Sequence, residues 1–140
     1  MTILKMWIHM VWTTKHRHPY LQHSIRPAVF DHIIESARTK GIVVNSLGGA
    51  EEHLHLLVSL GAEQSIAELS RSLKNDVAAW INDQQLVTEE FKWQDDYYAV
   101  SVSEHDIRRV RRHIRRQDQH HHKQSFAEEY QTFISSRVGA

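Results

Sequence analysis

Cysteine is absent from the 140 residues. That excludes a disulfide framework and any thiolate metal site, and it leans the chain towards a reducing, cytoplasmic setting. Proline occurs twice and glycine five times, too few for a long disordered tract. No apolar run is long enough for a bilayer. The first, ending in Met6-Trp7-Ile8-His9-Met10-Val11-Trp12, is too short to span and lacks a small-residue cleavage site, so no membrane association is expected and it reads as a strand. Net charge is missing too: 17 basic side chains balance 17 acidic ones, which argues against a nucleic-acid binder that uses its whole surface.

What is present is uneven. Hydrophobic residues make up 41%, enough for a real core, and the length suits a single domain over 1–140. There are twelve histidines, and six arginines (Arg108, Arg109, Arg111, Arg112, Arg115 and Arg116) crowd one short stretch.

Residues 4–14 favour a strand, followed by the basic loop Lys15-His16-Arg17-His18. With Ser24 near its start, a helix keeps apolar spacing through Ile25, Val29, Ile33 and Ala37 to about Thr39, and Gly41 ends it. A second strand at 42–47 leads into Gly48-Gly49, read as the tight turn of a hairpin. Ser65 with Glu68 forms a capping box before the stripe Ile66, Leu69, Leu73, Val77, Trp80 and Ile81. A strand at 97–102 follows, then a long helix from Ser103 to Gln119 or His122, and a last short helix from Ser125 carrying Phe126, Tyr130 and Phe133. The order β-α-β-β-α-β makes the chain α+β. It is the ferredoxin-like split β-α-β pattern: a four-stranded antiparallel sheet with helices on one face, plus C-terminal helices. The second sheet face needs a cover, which the C-terminal helices or a partner subunit would supply; a homodimer is expected.

The mid-chain stretch Glu51-Glu52-His53-Leu54-His55-Leu56-Leu57-Val58 alternates as a third strand, with His53 and His55 on one face and Leu54 and Leu56 on the other. The strand rise puts two such imidazoles roughly 6–7 Å apart, suited to one metal ion or to a phosphate. Two half-buried histidines bonded to the backbone are the plainer reading. On the long helix, His113 and Gln117 lie four residues apart on one face. The glutamine offers a hard carbonyl oxygen suited to Mg²⁺ or Mn²⁺ beside imidazoles. Lys15, Arg17, Lys74, Arg108, Arg109, Arg112, Arg115 and Arg116 are candidate phosphate contacts, against the ordinary alternative of solvated charge balanced by Glu104 and Asp106. Trp93 and Tyr97 could stack on bases, although core packing suits Trp93 better.

In order, Val11-Trp12-Thr13-Thr14-Lys15-His16-Arg17, Gly48-Gly49-Ala50-Glu51-Glu52-His53-Leu54-His55, Ser65-Ile66-Ala67-Glu68-Leu69, Phe91-Lys92-Trp93-Gln94, Tyr97-Tyr98-Ala99-Val100-Ser101-Val102-Ser103 and Val110-Arg111-Arg112-His113-Ile114-Arg115-Arg116-Gln117 resemble the small transposases of the IS200/IS605 and repeat-element-associated type, within the HUH nuclease superfamily. The resemblance covers nearly the whole chain. It implies a usually dimeric enzyme that cuts and rejoins single-stranded DNA, often beside a hairpin. It also implies Mg²⁺ or Mn²⁺ held by His53, His55 and Gln117. A helix nucleophile would join covalently to the 5′ side and release a 3′-OH.

One position departs from the pattern. The family nucleophile is a tyrosine four residues before the glutamine, and here that residue is His113. Imidazole can attack phosphorus to give a phosphoramidate. His113 is therefore open to several readings: a substitute nucleophile, a metal ligand or base that directs water, the mark of an inactive DNA-binding relative, or a change introduced into an active enzyme. A binding module without chemistry and a purely structural protein remain the rival classes.

Overall fold

The computed structural model describes residues 1–117. The expected helical extension through His120-His121-His122 and the last helix at Ser125 lie outside the described residues. The elements are β1 (Trp7–Thr13), α1 (Arg26–Thr39), β2 (Val43–Gly49), β3 (His53–Ser59), α2 (Ile66–Asp83), β4 (Tyr98–Val102) and α3 (Ile107–Arg115). The four strands form one antiparallel sheet in the order β2-β3-β1-β4. This is the α+β, ferredoxin-like split β-α-β arrangement.

Strand alternation divides the sheet into two unlike faces. Met10 and Trp12 of β1 and Leu54, Leu56 and Val58 of β3 join Val29, Ile33 and Ala37 of α1 and Leu69, Leu73, Val77 and Ile81 of α2 in the main core. The opposite face carries Leu57 and Val102, covered by Ile107, Val110 and Ile114 of α3. The cover that the sheet requires thus comes from α3 of the same chain.

Local chemistry sets the helix ends. Ser65 Oγ accepts from the Glu68 backbone N–H at 3.3 Å and caps α2. After α1, Gly41 takes φ +70°, and the Ile42 N–H returns to the Ala37 carbonyl at 2.8 Å. No helix among the described residues is long and apolar enough to cross a membrane.

Three local expectations need correction. β1 begins at Trp7, leaving Met1, Ile3, Leu4 and Met6 exposed. Gly48 and Gly49 are the last residues of β2 and not a turn; the chain reverses after them, closed by the Ala50 N–H donating to the His53 carbonyl at 3.0 Å. They lack side chains for a packing reason: a Cβ on Gly48 would stand 2.0 Å from the Ile114 carbonyl oxygen, and one on Gly49 would stand 2.6 Å from the His53 oxygen. Finally, a 3₁₀ turn at Glu104–Asp106 precedes α3, which stops at Arg115 well short of Gln119, with Gln117 in the turn beyond.

Candidate functional site

The site lies on the α3 face of the sheet. Register pairs Thr13 with His53, Val11 with His55 and His9 with Leu57, so His9, His53 and His55 share that face. The three histidines are essentially inaccessible to solvent. Their rings sit closer than the strand rise suggests, because they tilt: His53 to His55 is 5.1 Å between centroids and His9 to His55 is also 5.1 Å. From α3 the His113 ring arrives 5.5 Å from His55 and 6.1 Å from His9.

Gln117 joins the two halves. Its Oε1 lies 2.9 Å from His53 Nε2, within a single chain. Its Nε2 donates to the His113 backbone carbonyl at 3.1 Å and lies 3.1 Å from His113 Nε2. An amide N–H can only donate, so His113 Nε2 is the acceptor and presents a lone pair there. On its other side, His53 Nδ1 lies 3.0 Å from Glu52 Oε1, and the same oxygen receives Arg17 at 3.5 Å. Both nitrogens of His53 therefore face acceptor oxygens.

The donor chemistry fits a hard divalent ion. Adjacent ligands about 2.1 Å from Mg²⁺ in an octahedron stand about 3 Å apart, and the His53–Gln117 pair already has a 2.9 Å separation. Among the described residues no group of three or more His, Cys, Asp or Glu is arranged around one point as a metal set. A cation here would depend on the amide oxygen as well as the imidazoles of His53 and His55.

Burial holds the pKa of His55 well below its ordinary value of 6.5, and the charges of His9, His53 and His113 push it the same way. The sign of the pH effect follows. Near pH 6.5 and below, the unfolded chain takes up a proton that the folded chain resists, so stability is full above that value and is lost as pH falls towards the folded pKa. The expected result is an unfolding free energy in urea that declines from pH 7 to pH 5, by on the order of 1 kcal/mol per pH unit at most from this one group. H55Q should flatten that slope, and equal slopes in both proteins would refute the assignment.

The basic residues divide by placement. Lys74 is buried, and its Nζ donates to the carbonyls of Gln94, Asp95 and Asp96 at 2.6, 3.3 and 3.3 Å. Its pKa is lowered by burial, with Asp95 and Asp96 pulling the other way. Arg17 reaches Glu52, and Arg109 reaches Asp106 at 3.5 Å. Lys15, Arg108, Arg112, Arg115 and Arg116 are exposed. Trp93 belongs to the core, edge-on to Trp12 at 5.5 Å. A groove of about 740 Å³ between α2 and residues 90–97 includes Lys15, Arg71, Lys74, Lys92 and Tyr97 in its lining.

Two residues of this cluster carry no role in the sequence reading: His9 and Glu52. A signal for His9 was available, since a polar ring midway along an apolar strand needs a buried partner. Glu52 shows no periodic signal because it lies in the turn before β3.

Comparison with known proteins gives the family of the chain. ISDra2 transposase TnpA of Deinococcus radiodurans is 25% identical over 114 residues, covering 78% of this chain and 81% of that protein. A crystal structure of a Deinococcus radiodurans R1 protein described as a transposase superposes with a TM-score of 0.68 at 22% identity, over 84% of this chain and 94% of the other. A REP-associated tyrosine transposase bound to a REP hairpin gives a TM-score of 0.60 at 16% identity, over 81% and 67%. The sequence profile of the family described as "Transposase IS200 like" matches residues 2–117, which takes in β1, the histidine strand and Gln117 alike, and the chain belongs to that family.

Proposed function

We propose that the protein is a metal-dependent endonuclease and strand transferase for single-stranded DNA, with His113 in the nucleophile's place. The observation that supports this most directly is the bridging amide of Gln117, which contacts His53 through its oxygen and His113 through its nitrogen. One side chain thereby couples the candidate cation ligands to the candidate nucleophile.

A Mg²⁺ or Mn²⁺ ion bound by His53, His55 and Gln117 would neutralise charge on the scissile phosphate. The chain supplies the rest. Released from the Gln117 amide N–H, the His113 Nε2 lone pair attacks phosphorus, the bond to the 3′ oxygen breaks, and that oxygen takes up a proton as a 3′-OH. The imidazole loses its Nδ1 proton to solvent, leaving a neutral ring in a phosphoramidate that carries the single negative charge of the original diester on the 5′ side. A new 3′-OH reverses these steps and seals the strand without an external energy source. Arg109, Arg112 and Arg116 flank His113 on the helix surface and give the phosphates a cationic border. Exposed Lys15 adjoins Thr14, immediately past Thr13, the register partner of His53. A strand held at the imidazoles can therefore continue towards the groove lined by Arg71 and Lys92. The hairpin carried by the REP-associated relative supports a hairpin-forming single strand as the substrate class here.

The test uses a pool of 3′-end-labelled single-stranded DNA hairpins with randomised flanks, incubated with Mn²⁺. Wild-type protein is expected to give a labelled protein adduct that is acid-labile and base-stable. H113A should give none, and H113Y should give an acid-stable one. Cleavage without an adduct in wild type would make His113 a director of water. Uncut DNA with salt-dependent binding would leave an inactive DNA-binding relative.

A further inference from the structure

His9 stands at the centre of β1 with no solvent exposure, and its Nε2 lies 2.8 Å from His55 Nδ1. The contact follows from the sheet. His9 pairs with Leu57 and Val11 with His55, so His9 and His55 are diagonal neighbours on one face, within reach of two long side chains. Two ring nitrogens this close share one proton, with one donating and the other accepting. The direction is set by what His55 must do. With Nδ1 engaged, the nitrogen His55 can offer a cation is Nε2, and a neutral imidazole that coordinates through Nε2 carries its proton on Nδ1. That N–H then donates to His9 Nε2, and His9 itself must hold its proton on Nδ1.

We propose that His9 is a positioning residue that fixes the tautomer and ring orientation of His55, so that His55 Nε2 is its coordinating atom. The inference rests on the proposed cation site and extends it to the outer partners. The two strand histidines are then held alike at Nδ1 but by different chemistry. His53, beside the turn, uses the Glu52 carboxylate, whose charge Arg17 balances from the exposed loop. His55 lies two residues further along β3, away from the turn and its exposed arginine, where an extra carboxylate would be buried without such balance, and a neutral imidazole acceptor avoids that cost. The His9 ring also lies 32° from the plane of His55 and 76° from that of His113, which wedges it between β3 and α3.

The experiment uses the full chain. Nitrogen-15 imidazole spectra of the metal-free protein report the tautomer of His55, and Mn²⁺ titration reports affinity. Wild type is expected to show His55 protonated on Nδ1. H9L removes the acceptor at similar bulk; it should mix the His55 tautomers and weaken Mn²⁺ binding about 10- to 100-fold, the usual loss for an outer partner of a metal ligand. H9Q returns an acceptor oxygen and should recover most of the affinity. A folded H9L with wild-type affinity and an unchanged His55 tautomer would overturn the proposal, as would a wild-type His55 protonated on Nε2. The wild-type tautomer readout needs neither metal nor a folded H9L. A wild-type protein that binds no Mn²⁺ would remove the cation site, while the tautomer still decides the role of His9.

Discussion

Replacing His53 and His55 together by alanine is expected to abolish the Mn²⁺ binding heat of the wild-type protein and the covalent adduct with it. The two imidazoles and the Gln117 oxygen are the proposed ligand set, with His53 Nε2 and Gln117 Oε1 2.9 Å apart. Stripping two of the three proposed protein ligands should cost more than the roughly 10- to 100-fold associated with an outer partner. Both rings are buried beneath α3, so the double variant also needs a folding control by circular dichroism. Gln117→Glu offers an independent arm. It leaves both imidazoles in place and puts a charged oxygen where the amide oxygen stands, so Mn²⁺ affinity should rise while donation to the His113 carbonyl is lost. Tighter metal binding with slower adduct formation would separate the two ends of the Gln117 bridge. Equal Mn²⁺ heats in wild type and H53A/H55A would leave the histidine pair without a metal role.

Much of this architecture is written in local pattern. The 3.6 spacing of Val29, Ile33 and Ala37, the Ser65 cap with Glu68 and the alternation across His53–Val58 are each set by neighbours a few residues away, and each survives into the fold. The same holds for the shared face of His113 and Gln117, although the helix itself closes at Arg115. What local pattern cannot carry is cross-strand and cross-layer information. His9 reaches His55 across 46 residues, and no periodicity links them. Lys74 shows the converse. On the helix surface alone it is one more cation, and only the returning 94–96 segment turns it into a clamp on three carbonyls. Gly48-Gly49 looked like a turn because glycine serves both turns and close backbone approaches. The approach that decides between them comes from a helix more than sixty residues later.

That close approach carries the second large effect. Gly48→Ala is expected to dislodge α3 and disable the site without touching any candidate ligand. The added Cβ would meet Ile114 backbone atoms, the carbonyl oxygen at 2.0 Å and the carbonyl carbon at 2.9 Å, so trimming the Ile114 side chain cannot relieve it. Carbon and oxygen need about 3.3 Å even for a close contact, so helix and strand must part by on the order of 1 Å. Overpacking of this kind costs about 1–3 kcal/mol, which for a domain of this size lowers Tm by several degrees. The larger effect falls on function. His113 and Gln117 ride on the end of α3, and the 2.9 Å approach of Gln117 to His53 would open with it. A displacement of about 1 Å at reacting groups costs on the order of 100-fold in rate. Gly41→Ala is the matched control: Gly41 takes φ +70° with no atom within 4 Å of the added Cβ, so it should cost about 1 kcal/mol through backbone strain alone and leave Mn²⁺ affinity intact. A Gly48→Ala protein that melts and binds Mn²⁺ like wild type would show that α3 is not seated on β2 at Gly48, and the candidate site would lose the contact that positions it.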